Sequence, residues 1–319
     1  MAELSAVDRY RAAGKRANTE RSYQAAVAHY EQAWGGFLPA TADNIAAYLA
    51  AHGAALSVNT LRARLAGLAR WHLDQGFPDP TKAPIVKEVL RGIRASHPQT
   101  VKQAQPLQLG ALQRCVSWLQ GEIAQAQRTG NGQRLTRLYR DQALLLLGFW
   151  RAFRSDELCR LQVQWNRVER GRGLTLFLPS TKNDRQNLGT HFQVPALQQL
   201  CPVQAYEAWL GHAGLAYGPV FRRVDRWGRA GEQALHPYSV GGVLRALLRE
   251  AGVAEQGISS HSLRRGFAGW AASNGWDQKS LMSYVGWRDP ASALRYLDAN
   301  SSLTDGRLWR LPAAQRPEA

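Results

Sequence analysis

The spacing of apolar residues changes period along this chain, and that change decides what it can fold into. In the first hundred residues apolar side chains recur every three or four positions, with Tyr23, Ala26, Val27, Tyr30 and Trp34 on one helical face. A second helix is expected from a Thr41 cap through Ile45, Tyr48 and Leu49 to Gly53, where glycine would accept a left-handed end. A third starts near Ser57, buries Leu61, Leu65, Leu68 and Trp71, and stops at Gly76; after the turn FPDPTKAP a fourth covers Ile85 to Ala95. Helical spacing returns from Gln108 to Gln127 and from Arg137 to Trp150, the latter ending in the apolar run ALLLLGFW. Between Gln162 and Pro195 the period drops to two. That stretch reads as three short strands, the first two joined by a turn over Glu169 to Gly173. Helices then resume, most clearly over Tyr238 to Glu250 and Ser262 to Asn274. The expected fold is mainly α with a small antiparallel β-sheet.

At 319 residues and 45% hydrophobic content, the chain can fill two cores. The segment SHPQTVKQAQP has few apolar residues and two prolines, and reads as an extended linker over residues 96–106. It separates an N-terminal helical bundle, residues 1–95, from a second domain, residues 107–300, with a tail at 301–319. No run of about 18 apolar residues is present. The opening twenty residues are too polar for a secretory signal, so a cytoplasmic location is expected. Cys115, Cys159 and Cys201 stand far apart without CxxC spacing, which points to reduced core residues, not to zinc or a disulfide framework.

The formal net charge is +16, and such an excess favours a polyanion through counterion release. Up to residue 105 there are 13 Lys or Arg against 8 Asp or Glu, and the remainder is basic as well. Two basic lobes suit a C-shaped clamp on double-stranded DNA, although a generic basic surface or an affinity for anionic lipid would also account for the charge. In the first lobe Arg62, Arg64, Arg70, Lys87, Arg91 and Arg94 are candidates to meet phosphates, although each also suits a solvated helix face.

Six residues in the second half run in an order that suits attack by tyrosine on a phosphodiester: Arg154, Lys182, His261, Arg264, Trp287 and Tyr296. Two guanidinium groups can fork onto the phosphate oxygens and hold the charge that grows in a pentacoordinate transition state. Lysine offers a proton to the leaving oxygen, histidine assists the attacking hydroxyl, and tyrosine supplies it. This chemistry needs no cofactor and no metal. Metal-dependent strand transfer needs clustered carboxylates, and the 24 acidic residues contain no convincing set. Taken singly, each of the six has a plainer role as core residue, cap, ion pair or, for Lys182, solvent-exposed turn residue; the joint order carries the reading.

The segments around these residues resemble the tyrosine recombinases, or phage integrase family, over nearly all of residues 107–300. GFWRAFRSDELCRL is similar to the family's first arginine box, which makes Glu157, one helical turn after Arg154, the acidic partner that helps hold the site. STKND places Lys182 where the family carries a lysine on a hairpin, and HSLRRGFAGWAASNG matches its His-x-x-Arg box. YVGWRDPASALRYLD resembles the final box, with Asp289 and Pro290 suited to start a short helix carrying Tyr296. Tryptophan at Trp287, where many members have histidine, is similar to the Cre branch, as are the four-helix N-terminal pattern and Arg140-Asp141. The resemblance implies site-specific recombination through a 3'-phosphotyrosine and a Holliday junction. It also implies a homotetramer on two inverted-repeat DNA sites and a nucleoid-associated location. The tail, with Leu303, Leu308, Trp309 and Leu311, then suits a helix docked in a neighbouring subunit, or folded onto its own domain. Two alternatives stand beside this: relaxation of DNA in the manner of a type IB topoisomerase, and a catalytically silent DNA-binding accessory protein.

Overall fold

Hydroxyl side chains start two of the helices in the first hundred residues. Thr41 Oγ1 accepts from Asn44 N–H at 3.2 Å and Ser57 Oγ from Thr60 N–H at 3.0 Å, so orphan donors of each first turn are satisfied. The computed structural model describes residues 17–98, 103–169, 171–181 and 188–290, together with 5, 9, 10, 14, 184, 186, 293 and 294. The chain divides into two units, Met1–Lys102 and Gln103–Ala319.

In the first unit, α1 (Ala17–Ala28) continues as a π-helical turn (His29–Ala33), followed by α2 (Ala42–His52), α3 (Val58–Asp74) and α4 (Pro84–Ser96). Tyr30, Ile45, Tyr48, Leu49, Leu61 and Leu68 are fully buried between them. Two expectations change here. Gly53 ends α2 with φ −59°, not left-handed; a Cβ there would stand 2.8 Å from Ile93, so glycine serves close packing against α4. On α3 the buried aromatic ring is His72, with Trp71 half-buried. His72 bridges Leu68 O at 2.7 Å and Ala40 N–H at 2.9 Å, which satisfies both ring nitrogens in the neutral form.

The second unit opens with α5 (Leu109–Arg128) and α6 (Gly132–Trp150), whose run from Ala143 to Phe149 is buried. After the short α7 (Ser155–Cys159) come β1 (Arg167–Glu169), β2 (Gly173–Leu178) and β3 (Thr190–Pro195), paired antiparallel in the order β1-β2-β3. Alternation explains the sheet. Leu174 faces Val194 and Leu176 faces Phe192, all buried, while Thr175 and Gln193 pair on the other face. α8 (Pro202–Ala213), α9 (Pro237–Glu250), α10 (His261–Ser273) and α11 (Gln278–Val285) complete the helices named here. A second sheet, β4 (Arg222–Val224) with β5 (Ala230–Ala234), was not expected from the sequence. Its strands, RRV and AGEQA, are short and lack an apolar alternation; Asp225 organises the turn instead, accepting from Trp227 N–H and Arg229 N–H. The chain is therefore mainly helical with small antiparallel sheets.

Candidate active site

The site begins where a buried helix stops. After Trp150 the backbone turns through Ala152, fully buried and left-handed at φ 53°. For a residue with a Cβ this conformation costs roughly 1–2 kcal/mol and survives only where its surroundings enforce it. The turn delivers Arg154 to the N-cap of α7, and Glu157 reaches back from the first turn. Its carboxylate accepts from Arg154 N–H at 2.8 Å and from Arg154 Nη1 at 2.5 Å, and is itself only 5% exposed.

Arg264 approaches the same carboxylate from α10. It is 2% exposed, with Nη1 4.0 Å from Glu157 Oε2. Its Nη1 also donates to Ala152 O at 2.8 Å, and Nη2 to Val285 O at 3.0 Å. The strained Ala152 turn thus aims a carbonyl at Arg264. Trp287 lies beyond α11, buried, with its ring centroid 5.3 Å from the Arg264 guanidinium carbon. Its backbone N–H is fixed on Met282 O at 2.9 Å. His261, first residue of α10, is exposed, and its N–H donates to Ser259 Oγ at 3.2 Å. Three residues before Arg264, it shares that residue's side of the helix. Arg154, Glu157 and Arg264 together carry a net positive charge at a partly covered surface, which suits a phosphate.

α10 can stand here because Gly266 has no side chain. A Cβ on it would lie 2.0 Å from Leu107 O, and Leu107 N–H donates to Ser262 O at 3.0 Å. Within the stretch expected as a linker, Ser96 still belongs to α4, and Gln105 N–H already bonds Gly257 O at 2.9 Å.

Lys182 and Tyr296 lie outside the described residues, as does the tail at 301–319. The flanks of Lys182 are described. Arg160 donates to Ser180 O and to Ser180 Oγ at 3.1 Å, which fixes the end of β2. Asp184 accepts from Gln186 N–H at 3.2 Å and Gly189 N–H at 2.9 Å, and its own N–H turns back to Thr181. Arg151, Ala152, Arg160 and Asp184 were missed by the sequence reading. Asp184 alone had a usable signal, as an aspartate in a polar turn that can bond its own backbone. Pro290, Ala293 and Leu294 are helical.

The phage integrase family model matches residues 122–302, a span that holds every residue of this site. The chain belongs to the phage integrase family. It is accordingly a tyrosine recombinase, an enzyme that breaks and rejoins DNA strands. An integrase/recombinase XerD homolog of Selenomonas ruminantium is 26% identical over 279 residues, covering 86% of this chain and 78% of that protein. The fold is similar to that of XerH site-specific recombinase in a post-cleavage complex with palindromic difH substrate. There the TM-score is 0.61 at 16% identity, over 88% of this chain and 76% of that one. A lambda integrase dimer bound to a COC' core site gives 0.56 at 14% identity, over 92% and 95%. At these identities the structural likeness establishes the fold.

The basic candidates of this integrase-family chain's first unit divide by what they already hold. Arg62, Lys87, Arg91 and Arg94 are exposed, the last three on one side of α4 opposite the buried Val86 and Ile93. Arg64 instead donates to Ala25 O and ties α3 to α1, while Arg70 forks onto Asp74 at 2.7 and 2.9 Å. Among the described residues no three His, Cys, Asp or Glu side chains converge as a metal site, and no helix is long and apolar enough to cross a membrane. The three cysteines are buried and free, and burial pushes the Cys115 thiol up to about 11 and the Cys159 thiol up to about 12.

Proposed function

We propose that this chain is a site-specific recombinase whose Tyr296 hydroxyl attacks a scissile phosphate, forming a 3'-phosphotyrosine and expelling the 5'-oxygen. The convergence of Arg154 and Arg264 on one buried carboxylate, beside Trp287, carries this reading. In it, Arg154, Arg264 and the Trp287 indole N–H hold the nonbridging oxygens, and Glu157 keeps the two guanidinium groups apart and aimed. Lys182 gives its proton to the departing 5'-oxygen, and His261 assists removal of the phenol proton. The phosphoester bond to tyrosine replaces the one broken, so a 5'-hydroxyl from a second strand can reverse the step without ATP. Repeating the exchange on the other strand pair passes through a Holliday junction.

Arg62, Lys87, Arg91 and Arg94 supply backbone contacts to double-stranded DNA, with Arg64 and Arg70 acting through the helices they brace. The working assembly is a homotetramer on two inverted-repeat sites in the cytoplasm, associated with the nucleoid. Residues 1–95 form the helical DNA-binding domain, 96–106 the linker and 107–300 the catalytic domain, with 301–319 a tail that docks either on a neighbouring subunit or on its own domain. Tyr296→Phe tests the nucleophile. The variant should bind and assemble on target DNA as the parent does, yet form no adduct that survives denaturation; an adduct retained by the variant would overturn the assignment. Relaxation of a plasmid without exchange between paired sites would favour topoisomerase chemistry instead.

A further inference from the structure

The chemistry just described makes no use of Arg151, three residues before Arg154, although its guanidinium is built into the same site. Arg151 is 7% exposed. Its guanidinium carbon lies 4.0 Å from the centroid of the Tyr284 ring on α11 and 4.8 Å from that of Phe192 on β3. Nη1 donates to Tyr284 O at 2.5 Å, while the buried Nε–H has no hydrogen-bond partner among the described residues. Tyr284 answers by donating its hydroxyl to Trp150 O at 2.8 Å. One residue further along on each side, Arg264 bonds Ala152 O and Val285 O. Residues 150–152 and 284–285 are thus joined by hydrogen bonds running both ways, and two of the bonds belong to Arg264.

Burying a guanidinium costs several kcal/mol, and a leucine or methionine would fill the same volume more cheaply. What the cation adds is direction. It fixes a carbonyl immediately before the one that Arg264 uses, and it holds two aromatic faces from different elements by cation–π attraction. One of those elements is the strand that returns from Lys182; the other leads to Trp287 and, further along, to Tyr296. Burial also holds the Arg151 guanidinium pKa below the usual arginine value, with the opposing pull of Tyr284 and Glu157 the smaller influence.

We propose that Arg151 is a positioning residue that clasps strand β3 and the end of α11 to the arginine loop, so that the groups they carry meet one phosphate in register. This inference rests on the roles given above to Lys182 and Tyr296. Its test therefore has one arm that does not depend on them. In the DNA-free full chain, hydrogen exchange is compared between the parent, Arg151→Met and Arg151→Lys. The methionine variant should exchange the amides of residues 284–287 at least about tenfold faster while α5 is unchanged, and lysine should recover part of that protection. In the second arm, the parent chain selects, from a random-sequence duplex library, DNA that it captures covalently. On that duplex Arg151→Met should form adduct roughly 100-fold more slowly, because a misplacement of about 1 Å costs that much, with binding changed by less than about threefold. Arg151→Lys should recover at least about tenfold. Loss of protection throughout the unit, an unchanged adduct rate, or a lysine variant no better than methionine would each overturn the proposal and leave Arg151 a space-filling residue. If Arg151→Met does not fold, Phe192→Leu removes one aromatic face of the clasp, and should shift exchange and adduct rate in the same direction. Absence of any adduct from the parent would defeat the reading of Tyr296, and the clasp then stands or falls on the exchange arm.

Discussion

Replacing Glu157 puts the organisation of the site to a quantitative test. Its carboxylate pairs with both Arg154 and Arg264, at 2.5 and 4.0 Å, and its side chain is 6% exposed. Breaking a buried ion pair by removing one partner costs about 3–5 kcal/mol, since the surviving charge stays desolvated. Two features reduce that figure: the Arg154 side chain is 22% exposed, so water can reach it, and the Arg264 contact is at the outer limit of an ion pair. About 3 kcal/mol is therefore expected for Glu157→Ala. Glutamine keeps an oxygen that can accept from Arg154 N–H, a bond worth about 1 kcal/mol, so Glu157→Gln should lose about 2 kcal/mol. In a unit of this size each kcal/mol moves Tm by about 2–4 °C, which gives a fall of about 6–12 °C for alanine and 4–8 °C for glutamine. Differential scanning calorimetry of the full chain resolves both. A fall below about 2 °C for alanine would show that the carboxylate does not hold the two guanidinium groups; a glutamine variant as damaged as alanine would show that the bond to Arg154 N–H contributes nothing.

Gly266→Ala should lower the stability of the second unit by about 3 kcal/mol, the upper end for overpacking, because the new Cβ would meet the Leu107 carbonyl at 2.0 Å and backbone cannot rotate aside. Faster exchange of the Leu107 amide would accompany the drop, and a variant within about 1 kcal/mol of the parent contradicts the packing argument. In the first unit, His29 faces Tyr48, His52 and Arg64. Burial, then the charge of Arg64, then His52, hold its pKa below the usual histidine value of 6.5. The unfolded chain therefore binds the proton first as pH falls. The stability tied to neutral His29 is complete above pH 6.5 and is lost as pH drops through the folded value. Urea midpoints at pH 7.5 and 5.5 should differ in that direction, and His29→Gln should narrow the difference; an equal acid loss in the variant would rule His29 out.

Much of this architecture is written in local patterns. Thr41 and Ser57 start helices because their hydroxyls accept from first-turn N–H groups that have no partner within the helix, and the alternation around Leu174, Leu176 and Val194 leaves one sheet face to bury. Arg154, Glu157 and Arg264 could be named because each sits in a segment that resembles one of the family's boxes; spacing alone would not have singled them out. What escaped notice depends on partners distant in sequence. Gly53 is glycine because of Ile93, not because of its own backbone angle. Arg64 is engaged by a carbonyl on α1, which no inspection of α3 discloses. Arg151 follows an apolar run and looks like a charge marking a helix end, whereas its partners lie on β3 and α11. The hairpin β4-β5 escaped for the opposite reason: its strands, RRV and AGEQA, are too short and too poor in large apolar residues to show a period.

The joining of Gln105 and Leu107 to Gly257 and Ser262 sets an order of events during synthesis. The first stretch of the second unit finds these backbone partners in residues made about 150 positions later, so closure is a long-range step that local helix formation cannot replace. Until α10 leaves the ribosome, the Ala152 carbonyl lacks the Arg264 donor and Glu157 holds one arginine instead of two. A chain interrupted before that point carries helices, charge and the arginine loop, but not a finished site. Assembly of the catalytic apparatus is thus among the last steps in the birth of the molecule, and the two backbone bonds near Leu107 are its latch.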